Sequence, residues 1–230
     1  MTELLFIRHG ETDWNRQQRF QGQIDVPLNA IGREQAARLG ARLAGDRHDA
    51  LFTSDLQRAR QTAEPLAAAW QAPAVPVRDL REQSFGVLEG LDFPTIQARH
   101  PDLWERWREH RADYALPGGE SQRDFHARVL RAVRELAAAM PGRRVAVVTH
   151  GGVLDMLWRT AHGLPLDGYR ACAIPNTGLN RLRWVGGTLQ VDQWADDAHL
   201  AGMPAQASAQ AALPAAEPAL APPATPAAAG

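Results

Sequence analysis

Two histidines in this 230-residue chain each close a run of consecutive apolar residues. Leu4-Leu5-Phe6-Ile7 leads into Arg8-His9-Gly10, and Val145-Ala146-Val147-Val148-Thr149 leads into His150-Gly151-Gly152. Short uninterrupted apolar runs read as strands buried on both faces. A parallel sheet puts the carboxyl ends of such strands at one edge, where open α/β sheets bind their ligands. Arg58 stands near the start of a helical pattern after another strand, and Glu82 just beyond a third. Four elements distant in sequence can thus deliver Arg8, His9, Arg58, Glu82 and His150 to one cleft. A nucleophile, fixed cations for an anion and a carboxyl group for proton transfer are what phosphoryl transfer through a histidine requires. The transition state is loose and spreads charge over its equatorial oxygens, so fixed guanidinium groups supply most of the stabilisation. The same arginines disfavour the protonated form of an imidazole beside them, and an imidazole must be neutral to act as a nucleophile.

The elements that position these groups alternate along the chain. After the first strand, Glu11 to Leu28 is an irregular polar segment, of a length that in compact domains usually serves function. Asn29 offers an N-cap to a helix with the stripe Ile31, Ala36, Leu39 and Leu43. Asp49 to Thr53 reads as the second strand, and Leu56, Ala59, Ala63, Leu66 and Trp70 mark the next helix at spacings of three and four. Val75 to Arg78 reads as the third strand. Phe85 to Gly119 is less regular and bulky, with Phe93, Trp104, Trp107 and Tyr114, which predicts short helices forming a cap. Glu120 to Met140 is the clearest helix, and Val153 to Ala161 follows the second histidine strand. Leu179 to Val185 and Leu189 to Trp194 flank Gly186-Gly187, a hairpin signature. The pattern predicts a three-layer α/β/α domain over residues 1–202 with a mostly parallel sheet and a small helical cap after Glu82. Residues 203–230, almost all Ala, Pro, Gln, Ser and Gly, lack a periodic apolar face and read as a disordered tail.

Composition narrows the function further. All 25 basic residues are arginine, so any phosphate site is built from guanidinium forks, which grip oxyanions through two parallel bonds. A net charge of −1 argues against a nucleic-acid or membrane-surface partner. The single cysteine, Cys172, excludes an internal disulfide framework and fits a reducing compartment. Met1 leads directly into the first strand, which points to cytoplasmic residence. The Cys and His spacings suggest no metal site. The chain does not reveal its oligomeric state.

Six blocks now occur in order: Arg8-His9-Gly10-Glu11-Thr12-Asp13-Trp14-Asn15; Arg19-Phe20-Gln21-Gly22; Pro27-Leu28-Asn29; Ser54 to Ala63; Leu80-Arg81-Glu82 with Phe85-Gly86; and Thr149-His150-Gly151-Gly152. Together they resemble the histidine phosphatase superfamily, the phosphoglycerate mutase-like group, from Leu4 to about Trp194. The resemblance implies that His9 attacks phosphorus to form a phosphohistidine, which water then hydrolyses. Arg8, Arg58 and His150 would form the phosphate pocket, with Asn15 and the Gly151 amide adding hydrogen bonds. Glu82 would protonate the leaving oxygen and later activate the water, although Glu11 and Glu89 are acids of similar reach. Gln21, Gly22 and Arg60 are candidates for substrate contact and equally for shaping the loop. The other six histidines read as surface or structural.

Mutases of this group follow the acid with Arg-His-Tyr-Gly and a lysine shortly after. Here Gln83, Phe85 and Phe93 stand in the corresponding run. Charge is replaced by apolar surface, which favours a phosphomonoesterase acting on small phosphorylated metabolites. No cofactor is implied by that reading. A cofactor-dependent phosphoglycerate mutase is the alternative, and a non-catalytic phosphate-binding regulatory protein is the reading from another class. Phe85, Phe93, Trp104 and Trp107 would line the space for an apolar leaving group or form the core of the cap.

Overall fold

The computed structural model describes residues 1–170 and 172–206. Six strands form one sheet: β1 Thr2–Arg8, β2 Ala50–Thr53, β3 Ala74–Pro76, β4 Arg144–Thr149, β5 Leu179–Val185 and β6 Thr188–Asp196, in the order β3-β2-β4-β1-β5-β6. The first four in that order are parallel, β5 runs antiparallel to β1, and β6 antiparallel to β5. The third strand is shorter than the sequence suggests, because the chain turns at Arg78–Leu80 into a single 3₁₀ turn.

Helices cover both faces. β1 and β4 are buried almost throughout, and their side chains alternate between two cores. Leu4, Phe6, Val145 and Val147 pack on one side against helices that precede and follow β4: α6 Gln122–Ala139 and α7 Gly151–His162. Leu5, Ile7, Ala146 and Val148 pack on the other against α2 Ala30–Leu43 and α3 Gln57–Trp70. This is the expected three-layer α/β/α arrangement. β1 is followed by α1 Asp13–Arg16, a single turn capped reciprocally by Thr12 and Asn15. Gly186 and Gly187 both take positive φ in the two-residue turn between β5 and β6, a conformation glycine adopts without steric cost.

The cap comprises α4 Phe93–Arg99 and α5 Pro101–Arg108. It has its own small core of Phe20, Leu88, Ile96, Trp104 and Leu116, with Phe85, Phe93 and Trp107 packed around it. Phe20 meets Phe85 and Trp107 edge-on at 4.8 and 4.9 Å between ring centres, the geometry aromatic pairs prefer. Backbone bonds between Phe20 and residues 90 and 91 tie the polar segment after β1 to this cap.

Contacts with the domain continue past residue 202. The Gln206 side chain accepts from the Asn176 amide at 2.6 Å and donates to its carbonyl at 3.3 Å, so residues 203–206 rest on the domain. The rest of the expected tail, 207–230, lies outside the described residues. Among the described residues no helix is long and apolar enough to cross a membrane.

One close approach fixes the site end of β1 against α2. Asn29 caps the helix by accepting from Gly32 N–H, and its side-chain amide donates to Glu11. A Cβ on Gly32 would lie 2.0 Å from the Glu11 carbonyl oxygen and 2.7 Å from its amide nitrogen. Gly32→Ala should therefore lower stability by about 1–3 kcal/mol, as overpacking against backbone does, seen as a lower urea midpoint. An unchanged midpoint would mean that the segment after His9 moves freely.

Candidate active site

The β1–β4 register pairs Arg8 with Thr149, and the His9 amide donates to the Thr149 carbonyl at 2.8 Å. One residue further, His9 and His150 stand with ring centres 5.2 Å apart. Both are buried. His9 Nδ1 lies 2.7 Å from the Gly10 carbonyl oxygen, which can only accept, so Nδ1 carries the proton and Nε2 is left with its lone pair. Burial first, then the charges of Arg58 and Arg8, hold the His9 pKa well below its ordinary value. His150 is lowered by burial, Arg58, His9 and Arg8, and its Nε2 meets Ser54 Oγ at 2.8 Å. The site thus presents a neutral imidazole with a fixed tautomer beside permanent cations.

Those cations are held by carbonyls. Arg58, near the N-terminus of α3, is completely buried, and its terminal nitrogens donate to Gly22 and Ile24 at 2.8 and 2.9 Å. Arg8 donates to the Ile174 carbonyl at 2.7 Å. In both residues Nε is buried without a partner. Burial pushes each guanidinium down to about 10, still charged near neutrality; for Arg8 the next cause is a third arginine, Arg170. Carbonyl dipoles compensate a guanidinium less fully than an anion would, so the pocket favours anions.

Three acids compete in the sequence, and their surroundings separate them. Glu11 is buried behind the site, bonded to Asn29 and ion-paired with Arg16 at 3.8 Å. Glu89 accepts from the Gln23 and Phe85 amides and from Ser84 Oγ, a tie between loop and cap. Neither lines the cavity, whereas Glu82 does. Its two oxygens accept from the amides of Gly152 and Gln83 at 3.0 and 2.9 Å. The Gly152 bond requires the glycine pair to open α7 instead of preceding it, which moves the helix start two residues earlier than the sequence pattern gave. Arg128 on α6 secures the backbone here, donating to the carbonyls of Asp79, Arg81 and Glu82 while paired with Glu120 at 2.7 Å.

Arg8, His9, Arg58 and Glu82 open on one cavity of about 390 Å³. Of the residues expected there, Arg8, His9, Arg58, Glu82 and Gly151 line it, as do Asn15, Gln21 and Gly22; His150 lies directly behind His9. Asn15 Oδ1 is engaged with Thr12 in the cap of α1. Arg60 is exposed and does not line the cavity, because it lies two residues past Arg58 and so on another face of α3. Phe85, Phe93 and Trp107 both line the cavity and pack in the cap, while Trp104 is cap core alone.

Several lining residues carried no sequence signal that was used. Asp155 lies four residues after Gly151 on the same face of α7, a spacing that would have exposed it had the helix start been placed correctly. His110 is half-buried in the wall, and burial, then Arg159, push it down to about 4. Tyr169 and Arg170 come from an irregular loop with no pattern to read. Among the described residues no group of three or more His, Cys, Asp or Glu is arranged to hold a metal ion.

Comparison with known proteins agrees with this geometry. Residues 4–197 match the family model described as the histidine phosphatase superfamily (branch 1). The chain belongs to that superfamily. It is 35% identical over 204 residues to phosphoglycerate mutase-like protein 4 of Arabidopsis thaliana, covering 86% of each chain. It is 34% identical over 207 residues to a metal-independent phosphoserine phosphatase of the same plant, covering 88% of this chain and 85% of the relative. Among solved structures it resembles a mycobacterial glucosyl-3-phosphoglycerate phosphatase with a TM-score of 0.76 and 33% identity, covering 84% of this chain and 98% of that one. The resemblance read from the six motif blocks is borne out at the level of superfamily and fold.

The buried imidazoles give the superfamily fold a definite pH dependence. His9 and His150 lie well below 6.5 in the folded protein, and His110 lies at about 4. Below the ordinary histidine value the unfolded chain therefore binds more protons than the folded one, so stability is full above it and declines as pH falls. Acidification from about pH 7 to 5 should lower the melting temperature. In histidine-labelled protein, nitrogen NMR should show His9 and His150 still neutral where free histidine is half charged. Either ring charging near 6.5 would contradict the site as described.

Proposed function

We propose that this protein is a phosphomonoesterase working through a phosphohistidine on His9. The observation that carries the reading is the His9 imidazole itself: neutral, locked with its proton on Nδ1 by Gly10, and set in the cavity wall with Arg8 and Arg58, its ring against His150. In the first step Nε2 attacks phosphorus, the ester P–O bond breaks, and Glu82 gives a proton to the departing alkoxide. In the second, water attacks the phosphohistidine, Glu82 takes the water's proton, and the P–N bond breaks to release phosphate and restore His9. Arg8, Arg58, the Gly151 amide and Asn15 hold the phosphoryl oxygens throughout, so charge developing in the loose transition state meets donors already in place. His150 flanks the nucleophile, its ring fixed by Ser54. Gln21 and Gly22 shape the phosphate side of the cavity, Gly22 through its carbonyl on Arg58.

Hydrolysis is favoured over transfer within a small phospho-acid by what stands after Glu82. Phe85 and Phe93 form an apolar wall where the mutase pattern has a tyrosine hydroxyl and a lysine, and Gln83 spends its amide nitrogen on the Glu120 carbonyl at 2.9 Å. Identity does not separate the two activities, since the mutase-like and phosphatase relatives stand at 35% and 34%. The substrate class is a small phosphomonoester whose leaving group packs on the cap aromatics. The same superfamily membership and wall composition support this reading over a non-catalytic phosphate binder, which has no chemical need for His9 and Glu82 together.

Incubation with a panel of phosphomonoesters, and separately with 3-phosphoglycerate plus 2,3-bisphosphoglycerate, tests the assignment. Phosphate release should exceed isomerisation; the reverse would favour the mutase. Acid-labile labelling of the protein should vanish in His9→Ala. Glu82→Gln should lower kcat by about 10²- to 10⁴-fold, the usual contribution of a placed acid/base, with a smaller change in KM.

A further inference from the structure

The loop between α7 and β5 has little regular structure, yet it places Tyr169 and Arg170 in the cavity wall. Arg159 holds it. This arginine, 3% exposed, donates from its terminal nitrogens to the carbonyls of Pro165, Asp167, Gly168 and Tyr169, and from Nε to Asp155 at 3.0 Å. Every bond on the terminal nitrogens serves the stretch that ends one residue before Arg170. A buried, fully engaged guanidinium fixes backbone geometry far more tightly than a loop of this kind has on its own.

That geometry aims Arg170 at the start of α7. From the Cβ position that Gly151 lacks, the two terminal nitrogens of Arg170 lie 3.4 and 3.5 Å away, and Arg8 Nε, buried and unpartnered, lies 3.5 Å away. Two guanidinium groups thus converge over the first residue of a helix whose N-terminal amides are themselves a positive pole. After burial, Arg170 is the largest influence lowering the Arg8 pKa. Like charges gathered at a helix N-terminus favour an anion among them, and a phosphoryl group has the charge and the oxygens to sit there.

We infer that Arg170 is a third guanidinium of the phosphoryl seat, sharing the same phosphoryl group with Arg8, and that Arg159 is the positioning residue that delivers it. The inference rests on reading the cavity as a phosphoryl site. It adds a residue from a loop that neither the motif blocks nor the strand ends point to. Asp155 completes the device by orienting Arg159, four residues along the same helix.

Calorimetric titration with inorganic phosphate, at about pH 7.5 where the dianion dominates, reads the seat without a leaving group. Arg170→Gln should weaken phosphate binding by about ten- to a hundredfold, the range for losing a charged hydrogen-bond partner. Arg170→Lys should fall between, because an ammonium cannot fork. Arg159→Lys should weaken binding in the native background but add little in Arg170→Gln, since both act through one contact. Phosphate affinity unchanged in Arg170→Gln, with loss confined to KM for esters carrying an acidic leaving group, would overturn the assignment and make Arg170 a reader of the leaving group. Additive losses in the double variant would overturn the positioning role of Arg159. A native protein that binds phosphate yet frees none from any ester would sink the phosphatase reading alone, with the Arg170 assignment still decided by the binding series.

Discussion

The parallel pairing of β1 with β4 is the constraint on which the site depends. Each strand is covered on both faces, so neither can slip by one residue without turning an entire apolar set toward the wrong layer. The register that satisfies both cores sets Arg8 against Thr149, and the next residue on each strand is a histidine. The separation of His9 and His150 is therefore decided by hydrophobic packing far from the cavity. Asn176 reinforces it from β5's side by donating to the His9 carbonyl at 2.8 Å, and the Thr177 amide donates to Arg8. The backbone of Arg8 and His9 is bonded from β4 on one side and from the segment before β5 on the other.

Onto this rigid edge the fold adds charge that it does not neutralise. Arg8 and Arg58 are satisfied by carbonyl oxygens, each with a buried Nε left over, and the two imidazoles between them are kept uncharged by burial and by those same arginines. Such an arrangement costs stability, since carbonyl oxygens and the nearby carboxylate of Glu82 offset the desolvation of the two guanidinium groups only in part. An arriving phosphoryl dianion meets donors already oriented and needs little reorganisation from them, which is the condition under which electrostatic stabilisation acts most strongly on a transition state. The neutral state of His9 and the retained charge of the arginines have one common origin. Burial lowers both kinds of group, but arginine starts high enough to remain protonated while histidine does not.

The parts of this site that lie at strand ends or in fixed motif blocks were legible in the sequence, and the parts that depend on helix phase or loop path were not. His9, His150 and Arg58 follow from apolar runs and the helix start after β2, because burial and period leave a direct trace in residue type. Arg60 shows where motif adjacency gives out: two residues along a helix is about 200°, just over half a turn, so a neighbour in the motif need not be a neighbour in the cavity. The motif blocks point to Glu82 ahead of Glu11 and Glu89, and the structure adds that Glu82 lines the cavity while the other two do not. Asp155 was hidden by reading Gly151-Gly152 as a loop when the pair opens α7. Arg170 and Tyr169 belong to a segment whose path is written in the contacts of Arg159, and no local pattern encodes those.

The catalytic end and the cap end of the cavity are joined more directly than their separation in sequence suggests. Arg58 holds the carbonyls of Gly22 and Ile24, so a cation of the cavity wall also fixes the loop beside it. Glu89 then binds that loop through the Gln23 amide and the cap through the Phe85 amide and Ser84. Gly22 has a positive φ, and a Cβ there would lie 2.0 Å from a Glu89 oxygen, so only glycine lets the carboxylate close the connection. Phe85, set by this tie, packs on Phe20, which in turn contacts Phe93 and Trp107. A change in the aromatic wall is thereby transmitted through packed rings and a shared carboxylate to the loop on Arg58. In this architecture the surface that would select a leaving group and the cation that would hold its phosphate are parts of one packed unit, so altering the cap to accept a different alcohol also perturbs the grip on phosphorus.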